Sequence, residues 1–142
     1  MFKEFEKWKQ IDLEALKRRV ILSHSTEFAD MNREQLRKGI TSENTSFSYK
    51  NPKGHYAQKK KNMPSYKAKF PKVDFFFTGN FQNLIYLIIK GKEVVYNSRD
   101  TKADLLQSNY GKEIFGLTKE NLKKVHKITG KDLMIEISKK LR

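Results

Sequence analysis

The residues that could carry acid–base or metal chemistry are few in this sequence and lie far apart. The histidines are His24, His55 and His126, and no pair has the H-x-x-x-H or H-E-x-x-H spacing that places two imidazoles on one helix face. There is no cysteine, so disulfides, thiolate nucleophiles and Cys-ligated metals are excluded. The sequence therefore predicts neither a metal centre nor a bound cofactor.

Carboxylates and phosphate-binding loops give no stronger signal for catalysis. Asp74 and Asp100 flank a predicted hairpin and could be imagined as a pair, but acids near strand ends usually cap turns. The chain contains no G-x-S-x-G, P-loop or G-x-G-x-x-G sequence. We therefore expect a non-enzymatic protein that acts by binding or assembly.

Charge is the most unusual property of the composition. The 142 residues carry a formal net charge of +14. Residues 50–72 hold eight lysines and no acidic residue, so more than half of the excess lies in this one segment. No secretory h-region and no apolar run of membrane-spanning length is visible, so we expect a soluble chain without a membrane partner.

The basic segment has three open interpretations. Its lysines alternate with tyrosines and Phe70, a pattern in which amines could contact phosphates while rings stack on bases. The lysines could equally meet an acidic patch on a protein partner, or form a solvated face. The candidate binding residues are Lys59, Lys60, Lys61, Lys67 and Lys69.

The N-terminal part of the chain is predicted to be helical. Residues 2–38 show a helical period, with Asp12 as an N-cap, a weak point at residues 30–32, and Gly39 as the terminator. Residues 1–11 form a possible docking arm, and residues 40–72 are predicted to be one long basic loop. The stripe expected to face the core comprises Leu13, Leu16, Val20, His24 and Phe28.

Three aromatic residues in the arm step by three positions. Phe2, Phe5 and Trp8 would share one side of a helical turn. They could anchor the arm on a neighbouring subunit, or they could belong to the ordinary core.

The densest apolar region lies in residues 73–116. Val73–Phe77 has strand composition, and a turn at residues 78–80 follows it. A hairpin is then predicted, with strands at 84–89 and 94–97 joined by a Gly91-containing turn.

Two further helices are predicted after the hairpin. The first covers residues 102–109, is capped by Asp100 or Thr101, ends at Gly111 and turns Leu105 and Leu106 inward. An extended linker at 113–116 should insert Phe115 into the core. The last helix starts at Thr118, has a lysine-rich outer face that we interpret as solvated, and presents Leu122, Val125, Thr129, Leu133, Ile137 and Leu141 on its other face.

These elements predict one α+β domain spanning residues 1–142. It would combine an N-terminal helix, a small antiparallel sheet containing the hairpin, a C-terminal helix packed on that sheet, and the long basic loop. Residues 73–142 would form its core.

Short motifs in this region resemble a known family. Four features follow one another along the chain: V-D-x-x-x-T-G-N-F (73–81), the hairpin, I-F-G-L (114–117) and the last helix. In the order of these features the chain resembles small neck and tail-completion proteins of tailed bacteriophages, including relatives of the minor tail protein Z of phage lambda. N-R-E-Q-L-R-K-G-I (32–40) and Y-G-K-E-I-F-G-L (110–117) also resemble uncharacterised proteins of phages with Bacteroides-type hosts.

The resemblance implies a structural virion protein at the head–tail junction. Its partners would be copies of itself in a ring, the neighbouring portal, connector or tail proteins, and packaged DNA. It would pass through the host cytoplasm during assembly. The alternative is a basic, non-enzymatic nucleic-acid-binding protein that uses the Lys50–Lys72 segment.

Overall fold

The computed structural model describes residues 2–47 and 80–142 together with residues 59 and 62; the side chains of residues 2 and 4 are outside that description. Its helices and two-stranded antiparallel sheet confirm the α+β class. The predicted strand at 73–77, the turn residues 78 and 79, and most of the predicted loop lie outside the described residues. The elements are α1 (Phe2–Lys9), α2 (Leu13–Ser23), α3 (Ser25–Arg37), α4 (Asn80–Asn83), β1 (Ile85–Lys90), β2 (Glu93–Ser98), α5 (Ala103–Tyr110), a 3-10 turn (Lys112–Ile114) and α6 (Lys119–Leu141).

The N-terminal helical region is broken at different places from those the sequence suggested. Asp12 caps α2 as predicted, with its carboxylate accepting a hydrogen bond from the Ala15 N–H at 3.0 Å. The expected weak point at residues 30–32 is wrong, because α3 runs through it without interruption. The break falls at His24 instead, between α2 and α3.

Helix α3 ends in a motif that depends on glycine. Gly39 adopts a φ of 70°, which costs little without a Cβ. The Gly39 N–H donates to Leu36 O and the Ile40 N–H donates to Gln35 O, both at 2.9 Å. This is the Schellman pattern, so the predicted termination at Gly39 is confirmed.

The predicted hairpin is confirmed. Strands β1 and β2 pair from Ile85 opposite Ser98 to Lys90 opposite Glu93, leaving a two-residue turn. Gly91, the first turn residue, has a φ of 61°, as a tight hairpin turn requires. Leu87 and Tyr96 lie opposite each other and are both buried, so this register turns one face of the ribbon towards the core.

Helix α5 and the segment after it correct two expectations. Leu105 is 61% exposed, because the side of α5 that faces the core carries Ala103, Leu106 and Tyr110, at positions i, i+3 and i+7. Leu106 packs against the core with Tyr110. The 113–116 segment is not fully extended, because a 3-10 turn places Ile114 in the core with no exposed surface.

Two adjoining groups of apolar side chains form the interior. The first brings α3, Phe47, α4 and β1 around Ile114, and the second brings Phe28 of α3 against Leu87, Tyr96 and Leu117. Phe115, which is half-buried, packs against both groups and so connects them, in line with its predicted insertion into the core.

The last helix begins where it was predicted and runs for 23 residues. The Thr118 hydroxyl accepts a hydrogen bond from the Asn121 N–H at 3.3 Å. Helix α6 packs along α2 and adds Val125 and Ile128 to the group that contains the buried hairpin residues. Leu13 and Leu122, which were expected on buried faces, are 47% and 39% exposed. Among the described residues, no helix combines the length and apolarity needed to span a bilayer.

Candidate interaction surfaces

The residues that the structure describes contain no candidate metal site. No group of three or more His, Asp or Glu side chains there could hold a metal ion. Asp100 accepts a hydrogen bond from the Lys102 N–H at 2.7 Å, so its carboxylate organises the turn before α5. Asp74, its imagined partner, lies outside the described residues.

The aromatic arm presents two of its three predicted side chains to solvent. Phe5 is 58% exposed and Trp8 is 46% exposed, so the interpretation of these two as ordinary core is wrong. The Phe2 side chain lies outside the described part of the structure. The Lys9 amine lies 4.8 Å from the centre of the Phe5 ring, which keeps a cation above an otherwise open aromatic face.

Lys7 joins the arm to the end of α6. Its amine donates to Leu141 O at 3.2 Å and to Arg142 O at 3.0 Å. A cation at the C-terminal end of a helix is favoured by the helix dipole. The arm is therefore positioned by a polar contact at the end of α6, while its large rings remain uncovered.

The basic segment is represented in the described structure by one candidate. Lys59 lies in a helical turn and is exposed. The other predicted contact residues, Lys60, Lys61, Lys67 and Lys69, lie outside the described residues. Their use as a binding site stays a prediction.

A second basic surface lies on α6. Four lysines separated by four residues each follow one ridge of the helix, and all four are exposed. Their amines form no ion pair with any residue that the structure describes. We call this the lysine ridge; it consists of Lys119, Lys123, Lys127 and Lys131.

The acidic side chains of α6 are engaged elsewhere. Each of the three carboxylates has a Lys, Arg or His partner within 3.5 Å, and none of these partners belongs to the lysine ridge. The positive charge of the ridge is therefore not compensated within its own helix. The ion pairs are Glu120 with Lys124, Asp132 with His24, and Glu136 with Arg19 and Lys139.

His24 connects the α2–α3 junction to α6 through two carboxylates. Its Nε2 lies 2.5 Å from Asp132 and its Nδ1 lies 3.0 Å from Glu27. The hydrogen bond with Asp132 raises the pKa of His24; partial burial opposes that increase, and Glu27 adds to it. The ring also stacks on Phe28 at 5.5 Å, which restricts its orientation. The sequence showed His24 only as a member of an apolar stripe, because Asp132 is 108 residues away.

The two motifs that carry the family resemblance meet in the core. The rings of Phe81, from T-G-N-F, and Phe115, from I-F-G-L, have centroids 5.9 Å apart. Phe81 O also accepts a hydrogen bond from the Ser98 hydroxyl at 2.8 Å, which attaches α4 to the end of β2. Phe81 and Phe115 therefore contribute to the packing of the fold.

Two buried side-chain amides of α3 form hydrogen bonds with the backbone of residues 114–118, the segment that leads into α6. Asn32 donates to Ile114 O at 3.1 Å and accepts from the Gly116 N–H at 3.2 Å. Gln35 donates to Gly116 O and accepts from the Thr118 N–H. Both residues lie within the N-R-E-Q sequence, so this motif of the resemblance also includes side chains that stabilise the interior of the fold.

Two shallow grooves flank the start of α6, with volumes of about 390 and 590 Å³. Their linings mix polar and charged side chains with a few apolar ones, which are Met31, Ile40, Leu117 and Leu122. The lysine ridge, with its row of exposed amines, and the aromatic arm, with its exposed rings, are therefore the stronger candidate interaction surfaces.

The chain combines an α+β fold with external rather than enclosed candidate sites. Comparison with known proteins finds no matching family model, curated protein or solved structure.

Proposed function

We propose that this chain is a non-catalytic, ring-forming structural subunit of a tailed-bacteriophage particle, of the head–tail connector or tail-completion type. The observation that carries the proposal is the aromatic arm, which is held at one end of the molecule with Phe5 and Trp8 uncovered. The order of elements supports the virion assignment, because the hairpin, I-F-G-L and the last helix follow one another as the resemblance implies, whereas N-F lies in the short helix α4.

The arm suits contact with a second copy better than contact with solvent. Tryptophan and large aromatic residues dominate the energetics of protein interfaces when they enter a dry pocket. Leu13, Leu22 and Ile135 are apolar residues at least 45% exposed elsewhere on the same chain, so a copy offers candidate surfaces for the rings. A head-to-tail contact between an arm and a different surface generates a ring when the rotation closes.

The high net charge of the chain predicts how ring formation depends on salt concentration. Copies that each carry +14 repel one another, and salt screens that repulsion while leaving apolar contacts in place. Ring formation through the arm is therefore expected to strengthen with salt. Nucleic-acid binding would have the opposite salt dependence.

The first experiment measures molar mass by light scattering after gel filtration at low and high salt. The double variant Phe5→Ser/Trp8→Ser should remain monomeric under conditions in which the unaltered chain assembles. Leu105→Ser/Met134→Ser is the matched control, because these side chains are 61% and 64% exposed but lie outside the arm. Equal assembly of all three proteins would contradict the arm's role.

A second experiment addresses the virion itself. Mass spectrometry of purified particles should find the protein at about the copy number of one ring, and particles lacking it should show heads and tails that are not joined. Absence from particles, with retention on DNA in infected cells, would refute the connector assignment.

The alternative function, nucleic-acid binding through residues 50–72, is supported by the eight lysines and no acid in that segment. Replacing Lys59, Lys60 and Lys61 with Gln should then sharply weaken a salt-sensitive affinity for duplex DNA. Unchanged affinity would remove this candidate.

A further inference from the structure

The lysine ridge has the properties of a contact for a linear polyanion. Its residues span twelve positions of a continuous helix, which at 1.5 Å per residue is roughly 18 Å. Residues 119–131 contain five lysines and one glutamate. The glutamate, Glu120, is paired with Lys124, so the four ridge amines remain available to an external anion.

The helix itself adds to the field at one end of the ridge. Lys119 is the first residue of α6, directly after the Thr118 cap. The N-terminal end of a helix carries a partial positive charge from its unpaired N–H groups. The potential along the ridge is therefore positive from its first residue onward, with acidic side chains directed to other partners.

We propose that the lysine ridge binds the phosphate backbone of duplex nucleic acid without reading its sequence. A duplex carries about one charge per 1.7 Å of its axis, so a stretch of roughly 18 Å contains about ten phosphates, and those on the near side face the four amines. Lysine contacts a phosphate as a point charge and supplies no base recognition by itself.

The composition of the ridge favours nucleic acid over an acidic protein. The buried centres of protein interfaces are depleted in lysine and rich in aromatic residues and arginine. The ridge residues are all lysine, the neighbouring His126 is exposed on this face, and Gly130 contributes no side chain. This surface lacks the large rings that distinguish the aromatic arm.

The inference does not depend on ring assembly, because a monomer carries a complete ridge. It is also separate from residues 50–72, whose lysines lie in another part of the chain. The test must keep those lysines in place and compare variants of equal net charge.

The ridge variant changes Lys119, Lys123, Lys127 and Lys131 to Gln, which keeps a good helix-forming residue at each position. The control changes Lys17, Lys90, Lys92 and Lys102 to Gln; these are also exposed, and they lie on α2, the hairpin and the start of α5. Circular dichroism establishes that both variants keep their helical content.

Fluorescence anisotropy with a labelled 30-base-pair duplex then gives the affinity between about 50 and 200 mM salt. Losing four phosphate contacts should make the negative slope of log K against log salt shallower by about 3.6, at 0.9 per contact. The unaltered chain should therefore lose about 150-fold more affinity across that range than the ridge variant. The control should keep most of the original slope.

Two results would overturn the proposal. Equal losses in the ridge and control variants would show that net charge alone governs binding. Tighter binding of polyglutamate than of the duplex, abolished by the ridge changes, would assign the surface to an acidic protein. Restoration of the slope by arginine at the four positions would support phosphate contact.

Discussion

Replacing Asn32 tests how the chain fixes the approach to its last helix. Asn32 is fully buried and satisfies two backbone groups, Ile114 O and the Gly116 N–H. Asn32→Ala leaves both without their partner, at about 1–3 kcal/mol for each buried group. Gly116 is half-buried, so water can partly replace the second hydrogen bond. We therefore expect a loss near the lower half of the sum, about 3 kcal/mol.

The assay is urea unfolding followed by far-ultraviolet circular dichroism at one fixed protein concentration. A loss of about 3 kcal/mol should also lower the Tm by roughly 10 °C for a chain of this size. Asn109→Ala, at an exposed site on α5, is the matched control and should stay within about 0.5 kcal/mol of the unaltered chain. Asn32→Asp keeps an acceptor for the Gly116 N–H but turns a carboxylate towards Ile114 O, so it should not rescue stability. Equal stability of Asn32→Ala and the control would refute the role assigned to this amide.

Two other predictions concern the pH dependence of stability at His24 and the backbone conformation at Gly91. The pKa of His24 is raised in the folded state, chiefly by Asp132, so its contribution to stability is complete below its unfolded pKa and disappears as pH rises through the folded pKa. Urea midpoints measured from about pH 5.5 to 8.5 should fall less in Asp132→Asn than in the unaltered chain; parallel curves would contradict this. Gly91→Ala has open space for its Cβ but retains a φ of 61°, so it should cost about 1 kcal/mol in urea unfolding, and Gly91→Asn should cost less. Equal losses from the two changes would show that the φ angle is not the cause.

Local signals in the sequence were sufficient for the ends of elements and for the hairpin. Asp12, Thr118, Gly39 and Gly91 each act on backbone groups within a few residues, so their chemistry is visible in a short window. Asn32 shows where this approach fails. An amide inside a helix predicts a weak point unless its long-range partners are known, and its two partners lie 82 and 84 residues away.

The sequence likewise predicted only part of each candidate surface. The spacing of Phe5 and Trp8 identified the arm, but periodicity alone could not decide between the core and an interface. The lysines of α6 were visible as an outer face, and the sequence assigned them to solvation. The ridge lysines are left without acidic partners because Asp132 pairs with His24 and Glu136 pairs with Arg19. These contacts join helices that are far apart in the sequence, so the sequence did not show them.

The two proposed surfaces can operate together because α6 separates them. The arm is attached at Leu141 and Arg142, whereas the lysine ridge ends at Lys131. Ten residues of helix correspond to roughly 15 Å, which exceeds the Debye length of about 8 Å at physiological ionic strength. The ridge charges should therefore act only weakly on the contact that holds the arm at the end of α6 within its own chain. In a closed ring, copies of the ridge would also be held at fixed spacing, so a long duplex would gain affinity from several weak contacts without any new contact within one subunit.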